Sequence, residues 1–169
     1  MMKKLNEKSW KKFDVFGAKG FLKIATTNSS IDSIRLKDSE EKKVPYITRT
    51  DSSNGVARFV GKENYDYGSD DAGCITVGLD TQTAFYQPHK FVTGQNIQII
   101  SGDTITKDSA HFYVTILKKQ MVAKFNWGGN GATLGRMKCL EAMLPISEVG
   151  TPDHEYMADY IREKRLLLV

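Results

Sequence analysis

Short runs of β-branched and aromatic residues recur along this 169-residue chain, and turn-forming stretches such as "SSNG" and "GLDTQT" separate them. Runs of this kind are typical of short strands, which tight turns can join into antiparallel hairpins. Helical periodicity is confined to two stretches, one in the second half of the chain and one at its C-terminus. The pattern therefore predicts an α/β (α+β) fold: a single mixed domain of many short, largely antiparallel strands with a packed helix, followed by a C-terminal helix.

The clearest strand pair is the stretch "VPYITRTDSSNGVARFV" at residues 44–60. Two β-type runs flank a polar loop in which Asn54-Gly55 can reverse the chain, so a hairpin is expected here. A plain hairpin does not need the additional Thr, Arg, Asp and Ser side chains of this loop. Further strands are predicted at residues 74–77, 84–87 and 96–101, around the glycines of residues 10–25, and in "RMKCLEAMLPI" at residues 136–146.

Two stretches have the apolar spacing of amphipathic helices. In "TKDSAHFYVTILKKQMVAKF", residues 106–125, either Asp108 or Ser109 can cap the N-terminus. In "TPDHEYMADYIREKRLLLV", residues 151–169, acidic residues come first and basic residues come late, as the helix dipole favours. We therefore divide the chain into a basic N-terminal arm at residues 1–12, a central domain at residues 13–150 and a C-terminal helix at residues 151–169.

Composition narrows the classes of protein to which the chain can belong. Its formal net charge is +4, so a polyanionic partner is compatible with the composition but not required by it. No window approaches the roughly 18 consecutive apolar residues of a membrane span, and the start "MMKKLNEKSWKK" lacks the apolar core of a signal peptide. Two cysteines, Cys74 and Cys139, are too few for a disulfide framework and are expected to be reduced and mostly buried. We therefore expect a cytoplasmic protein without membrane contacts.

Motifs for catalysis or metal binding are not evident. His89, His111 and His154 lack the short spacing of metal ligands. The glycine-rich "GGNGATLG" lacks the Lys-Ser/Thr of a nucleotide-binding P-loop. The run "EEKK" at residues 40–43 has the residue types of a nuclease motif, but it lies in a polar stretch without a strand that would hold them in place. We therefore expect no catalytic residues, no metal site and no cofactor in this chain.

Polar side chains at the predicted strand ends are the more informative feature. The turns "ITRTDSSNG", "LDTQTAFYQPHK", "TGQN" and "FNWGGNG" contain Thr, Ser, Asn, Gln, Lys, Arg and aromatic residues. Arg can bind both acceptors of guanine, Asn or Gln can bind adenine, and hydroxyl or amino groups can hold phosphates. A nucleic-acid interface is one interpretation, but ordinary solvated loops have the same composition, so both stay open at this point.

The order of these motifs resembles a known family. "WKKF" leads into "DVFGAKG", followed by "VPYITRTDSSNGV", "GCITVGLDTQTAFYQPHKFVTGQNIQII", the amphipathic helix, "GRMKCLEAMLPIS" and "PDHEYMADYIREK". Over roughly residues 10–165 they resemble the target recognition domain of restriction–modification DNA specificity proteins, which include type I specificity subunits and related fused or two-subunit type II enzymes. The central domain would then bind one half of a bipartite DNA target from the major-groove side.

The resemblance also implies partners. A member of this family would have no catalytic centre and would direct a methyltransferase (modification) subunit, and in some systems a restriction endonuclease subunit, to double-stranded DNA. Its C-terminal helix would contact the methyltransferase and another specificity helix, for instance in a homodimer.

Carried onto this sequence, the resemblance places polar residues of several loops near DNA. Arg49 and Gln82 are predicted to contact base edges, and Gln95 and Asn130 are further candidates for this role. The residues predicted to position phosphates are Thr48, Thr50, Lys90, Arg136 and Lys138, and others expected near DNA are Asn54, Gln87 and Asn96.

Alternatives to a specificity module remain. Family subunits usually carry two recognition domains and two long helices, so this chain could be a fragment, a half-subunit or a separate recognition tail. A stand-alone nuclease or methyltransferase is one alternative, although the Asn-Pro-Pro-Tyr and S-adenosylmethionine-loop motifs are missing. A protein-interaction module that regulates such a complex is another, although a DNA mimic should be acidic and this chain carries +4.

Overall fold

The computed structural model describes residues 3–125 and 131–167. Within these ranges the chain forms nine strands and three α-helices, joined by turns and short 3₁₀ segments. The strands are β1 (Trp10–Asp14), β2 (Lys23–Thr26), β3 (Val44–Ile47), β4 (Val56–Val60), β5 (Cys74–Gly78), β6 (Thr83–Gln87), β7 (Val92–Thr93), β8 (Ile97–Ser101) and β9 (Glu141–Pro145). The helices are α1 (Ser109–Lys124), α2 (Leu134–Lys138) and α3 (His154–Leu166).

Four strands form the main sheet, which is antiparallel and has the order β2-β8-β5-β6. Alternate residues of a strand point to opposite faces, so each face collects its own apolar side chains. On one face Ile75 and Ile100 are buried in a cluster with Leu117 of α1. The strands predicted at residues 74–77 and 84–87 are present, and the predicted α/β fold class with largely antiparallel strands is confirmed.

The predicted hairpin forms a second sheet with the order β4-β3-β7. β3 and β4 are antiparallel, from Val44 opposite Val60 to Ile47 opposite Val56. β7 pairs with the other edge of β3 in parallel. Because only residues 94–96 separate β7 from β8, the hairpin sheet is joined to the main sheet by a short turn.

A two-stranded sheet joins the N-terminal segment to the end of the domain. β1 pairs antiparallel with β9 along its whole length. The boundary that the sequence suggested for the basic arm, at residue 12, therefore lies within β1. The division of the chain into functional segments at residues 1–12, 13–150 and 151–169 stays a prediction.

A short helix occupies part of the region that the sequence predicted as strand. α2 covers Leu134–Lys138, and the strand begins only at Glu141. Thr133 caps this helix, because its Oγ1 accepts a hydrogen bond from the N–H of Arg136 (3.2 Å). The prediction of strand structure throughout residues 136–146 was therefore wrong in its first part.

A buried carboxylate joins the main sheet to the hairpin sheet. Asp70 is 3% exposed, and its backbone pairs with that of Phe91 just before β7. Its carboxylate accepts hydrogen bonds from Thr27 Oγ1 (2.5 Å) and from the N–H of Asn28 (3.1 Å), which follow β2. The hydroxyl of Thr93 in β7 donates in turn to Thr27 Oγ1 (2.8 Å). Because buried polar groups need their partners, this network fixes how β7 lies on the main sheet.

The long helix α1 is present as predicted, but it begins differently. The side chain of Asp108 makes no capping hydrogen bond. Instead, Ser109 Oγ accepts a hydrogen bond from the N–H of Thr106 (2.8 Å). Asp108 forms ion pairs with Arg162 and Arg165, so its charge ties α1 to α3.

Helix α3 packs along α1 through the apolar stripe that the sequence indicated. Tyr156 and Met157 are buried, and the next turn of the stripe is partly buried. Asp153 caps the helix by accepting a hydrogen bond from the N–H of Tyr156 (3.0 Å). The same carboxylate accepts a hydrogen bond from Lys8 Nζ (2.6 Å), which ties the N-terminal segment to α3.

The first residue of α3 is a histidine that contacts the core. Nδ1 of His154 shares a hydrogen bond with the hydroxyl of Tyr113, and its ring lies against Phe21. Burial lowers the pKa of His154 below its ordinary value of 6.5, and the charge of Asp153 opposes this shift. The neutral imidazole is therefore the form that the folded protein favours.

We expect this histidine to make the protein less stable at mildly acidic pH. A histidine whose pKa is lower in the folded than in the unfolded protein contributes its full stability above about pH 6.5, and this contribution declines below that value. His111, whose pKa burial also lowers, acts in the same direction. The loss of melting temperature between about pH 7 and about pH 5 should be smaller in His154→Asn than in the parent protein. The exposed His89 provides the control His89→Asn, and an identical pH dependence in all three proteins would contradict the expectation.

Replacement of the buried carboxylate should destabilise the fold. Asp70→Asn exchanges a charged acceptor in a buried network for a neutral amide, so we expect a loss of about 1–3 kcal/mol in the free energy of unfolding. Asp71→Asn is the matched control, because Asp71 is the exposed neighbour in sequence. Urea unfolding of both variants measures the effect, and equal losses would show that the network does not join the sheets.

Candidate nucleic-acid interface

The loop between β3 and β4 holds the first group of predicted site residues. The N–H of Thr48 donates to the carbonyl oxygen of Gly55 (2.9 Å) and closes the loop at its base. Asn54 lies in the left-handed region with φ 57° and ψ 30°, and Gly55 follows with φ 78°. Asn and Gly tolerate this conformation, so the predicted Asn-Gly reversal is present. At the tip, Thr50 Oγ1 and Ser52 Oγ share a hydrogen bond of 3.0 Å.

Two amides that the sequence placed near DNA attach this loop to the edge of the main sheet. Asn54 Nδ2 donates to the carbonyl oxygen of Tyr86 in β6 (2.9 Å). Gln87 Nε2 donates to the carbonyl oxygen of Asn54 (3.0 Å) and to Thr76 Oγ1 (3.0 Å). Gln87 is 3% exposed, so its side chain belongs to the core and the structure gives it a positioning role.

Arg49 leaves the end of β3 and reaches over the main sheet. Its Nη1 lies 2.6 Å from Oδ2 of Asp80 in the turn between β5 and β6, and both side chains remain nearly half exposed. Cγ of Arg49 lies beside Gly78, where a Cβ atom would be 3.6 Å away, an ordinary contact, whereas the same atom would lie only 2.6 Å from Thr81 Oγ1. An exposed ion pair contributes little stability, but this one determines where the guanidinium lies.

A groove of about 350 Å³ opens beside the loop. It is bounded by segments 31–33, 48–49, 57–58 and 94–95, and is hereafter the hairpin groove. Tyr46 also lines it, and its hydroxyl donates to the carbonyl oxygen of Ile31 (2.8 Å). Three predicted site residues from two distant segments meet in this groove: Thr48 and Arg49 from the hairpin loop, and Gln95 from the turn after β7.

Arg58 is a further groove residue that the sequence interpretation did not select. It stands opposite Tyr46 in the β3–β4 pair, and its Nη2 donates to the carbonyl oxygen of Ser33 (3.2 Å). The side chain is exposed, so its remaining donors can face a ligand. The signal was present in "VARFV", because an arginine within a β-type run indicates the outward face of that strand.

The turn between β7 and β8 carries Gln95 and Asn96, which are both exposed. Asn96 has φ 62°, so this residue makes the turn, whereas Gln95 lines the hairpin groove. Lys90 precedes β7 and does not line the groove. Its ammonium lies 4.9 Å from the centre of the Tyr65 ring, in a cation–π contact.

Other predicted residues lie outside the groove lining. Gln82 has φ 55°, and its Nε2 donates to the carbonyl oxygen of Phe125 (2.6 Å), so it binds the C-terminal end of α1. Arg136 and Lys138 lie on α2, which contacts β2 at the opposite edge of the main sheet from β6. Asn130 lies outside the described residues.

The described ranges also bear on metal binding, membrane insertion and thiol chemistry. No three His, Cys, Asp or Glu side chains come together there as metal ligands. No helix in the same ranges is long and apolar enough to cross a bilayer. Burial raises the pKa of Cys74 to about 12, so this thiol stays protonated, whereas Cys139 is exposed and not buried as the composition suggested.

Sequence comparisons point to the family that the motifs suggested. The family model of the type I restriction modification DNA specificity domain matches residues 10–167. The specificity subunit S.BcgI of a type II restriction enzyme from Heyndrickxia coagulans is 25% identical over 162 residues, which make up 95% of this chain and 45% of that protein. The resemblance inferred from the motifs is confirmed.

Solved structures with low sequence identity share the fold. The S subunit of a type I restriction-modification system from M. genitalium has a TM-score of 0.64 and 12% identity, with 98% of this chain and 42% of that chain covered. The HsdS subunit from Thermoanaerobacter tengcongensis has a TM-score of 0.59 and 11% identity, with 94% and 38% covered. The chain thus spans less than half the length of these relatives. Because the family model matches nearly the whole chain, the protein belongs to the type I restriction modification DNA specificity domain family.

Proposed function

We propose that this chain recognises a short sequence in double-stranded DNA and directs a partner modification or restriction subunit to it. The observation that carries the proposal is the hairpin groove, in which Arg49, Arg58 and Gln95 converge from separate segments of a DNA specificity domain. Sequence readout needs several donors held at fixed positions, and a groove built from strand ends meets that need.

The groove side chains have the chemistry of major-groove readout. An arginine can donate two parallel hydrogen bonds to O6 and N7 of guanine, and a glutamine can bind N6 and N7 of adenine. Arg49 and Gln95 are our candidates for base edges, and Arg58 joins them. Each arginine already has an anchor, Asp80 for Arg49 and the carbonyl oxygen of Ser33 for Arg58. An anchored side chain loses less conformational entropy when it binds.

Phosphate contacts would set the register of the duplex on this surface. Thr48 and Thr50 at the loop keep the positioning role that the sequence suggested. Lys90, Asn96 and the α2 residues are candidates where the duplex extends beyond the groove. We assign supporting roles to the amides of Asn54, Gln82 and Gln87, because these bind backbone carbonyl oxygens within the protein.

Catalysis would belong to partner subunits. This part of the proposal is supported by the relatives, which are named as specificity subunits of restriction systems. The C-terminal helix is the candidate contact with a methyltransferase or with a second copy of the chain. Part of its apolar stripe packs on α1, and Leu166 and Leu167 at its C-terminal end are exposed, so these two leucines are available to a partner. A cytoplasmic location, where cellular DNA lies, completes the proposal.

Selection from a library of random duplexes tests DNA recognition directly. The chain should enrich one sequence motif, and its affinity for that motif should fall as the salt concentration rises, because phosphate contacts release counterions. Equal retention of all duplexes at low salt would contradict the proposal.

Arg49→Ala separates base readout from phosphate contact. Loss of a bidentate contact should weaken binding to the selected duplex by about 1–3 kcal/mol and relax the preference at one base position. Titration of the selected duplex and of its single-base variants measures both effects. Arg162→Ala is the matched control, because this arginine lies on α3 and pairs with Asp108 and Asp159 there. A uniform loss for every duplex would show that Arg49 contacts phosphate.

A further inference from the structure

The ion pair of Arg49 assigns a role to an acidic residue. We propose that Asp80 is a specificity-determining residue, whose carboxylate holds Arg49 through Nη1, leaves its other donors for a base edge and weakens its attraction to phosphates. This inference rests on the proposed recognition of DNA by the hairpin groove and deepens it, because it says how the groove rejects sequences that do not match.

The geometry shows a connection between two sheets. Arg49 follows β3 of the hairpin sheet, whereas Asp80 lies in the β5–β6 turn of the main sheet, and Nη1 is 2.6 Å from Oδ2. Exposed fractions of 46% for the arginine side chain and 41% for the aspartate leave both within reach of a ligand. The aliphatic part of Arg49 lies beside Gly78 at the end of β5. The guanidinium is therefore held at the groove and remains accessible.

The carboxylate offers Arg49 the same kind of contact as a DNA phosphate. Both are anionic oxygens that accept charge-assisted hydrogen bonds from a guanidinium. Exchange of Asp80 for a phosphate therefore gains little, and a phosphate that approaches the intact ion pair is repelled by the aspartate charge. A guanine edge is neutral and is not repelled by Asp80, so the guanidinium donors that Asp80 leaves unused can bind its two acceptors. Asp80 thus weakens the contact of Arg49 with phosphates, which every DNA sequence presents, more than its contact with a guanine, which only a matched sequence presents at this position.

The second arginine of the groove provides an internal comparison. Arg58 donates to the neutral carbonyl oxygen of Ser33, at 3.2 Å. A hydrogen bond to a neutral acceptor is weaker than one to a carboxylate, so it restrains the guanidinium less. Of the two arginines in the hairpin groove, Arg49 is therefore paired with a carboxylate, whereas Arg58 is held by a neutral carbonyl oxygen.

The test compares two variants that remove the same charge. Asp80→Asn keeps the shape of the side chain but removes its charge, and Asp51→Asn removes a charge from the exposed loop without altering the groove lining. The full chain is titrated with the duplex that the parent protein selects and with a scrambled duplex, over a series of salt concentrations. Melting temperatures of the variants report whether the fold is retained.

We expect Asp80→Asn to raise the affinity for the scrambled duplex about two- to fivefold, because Arg49 is then free to contact phosphates. The slope of log K against log salt for this duplex should become steeper by roughly 0.9, which corresponds to one additional phosphate contact. Affinity for the selected duplex should change less, so the ratio of the affinity for the selected duplex to that for the scrambled duplex should decrease. Asp51→Asn should raise both affinities slightly and equally, through its charge alone. When Arg49→Ala is also present, Asp80→Asn and Asp51→Asn should change the affinities for the two duplexes by equal factors.

Four results would overturn the role of Asp80. Three of them are equal effects of Asp80→Asn and Asp51→Asn, an effect of Asp80→Asn that persists without Arg49, and a lower melting temperature with equal weakening for both duplexes. The last result would make the ion pair a structural tie. Failure of the parent protein to enrich any duplex would overturn the proposed function and this inference with it. Enrichment by the parent with an unchanged specificity ratio in Asp80→Asn would overturn the inference alone.

Discussion

The relative position of the main sheet and the hairpin sheet depends on one buried carboxylate, that of Asp70. The main sheet and the helices share a large apolar cluster, whereas the hairpin side has two small clusters, one of them around Phe91. Apolar contacts stabilise this junction but do not specify an orientation, since the hydrophobic effect is non-directional. The hydrogen bonds from Thr27 and Asn28 to Asp70 have fixed directions, and Thr93 extends them to β7. The orientation of the hairpin sheet, and with it the position of the groove, therefore follows from polar contacts between the two sheets.

The amides near the candidate interface show why residue type alone does not identify a DNA contact. Asn54, Gln82 and Gln87 have the side chains that read adenine, yet each binds a backbone carbonyl oxygen of the protein itself. Helix ends and loops that cross a sheet leave carbonyl groups without partners, and a nearby amide is well suited to bind them. The surplus of polar residues in the hairpin loop thus has two causes. Some side chains attach the loop to the sheet, and the others face outward.

Local signals in the sequence were sufficient for the hairpin, the strands β5 and β6, and the helices α1 and α3. Each of these depends on a short repeat of apolar residues or on a turn such as Asn54-Gly55, which neighbouring residues determine. Contacts between distant segments could not be predicted from local patterns. The parallel pairing of β7, the groove position of Arg58 and the partner of Arg49 all depend on how the sheets meet. α2 was missed for another reason, because five residues are too few to show helical periodicity. The family resemblance identified the domain but did not separate supporting from outward-facing side chains.

The charges of the hairpin groove suggest how affinity and selectivity are divided on this surface. Arg49 and Arg58 line the groove together with Asp32, and Asp80 pairs with Arg49 from outside it. These four charges cancel, so the groove itself is not a strongly positive site, although the chain as a whole carries +4. General attraction to a duplex would then come from basic residues elsewhere, since phosphate contacts position a protein while base contacts specify the sequence. A neutralised groove discriminates by the placement of its donors, and that placement depends on Gln87, which holds the loop, and on Asp70, which holds the sheet beneath it.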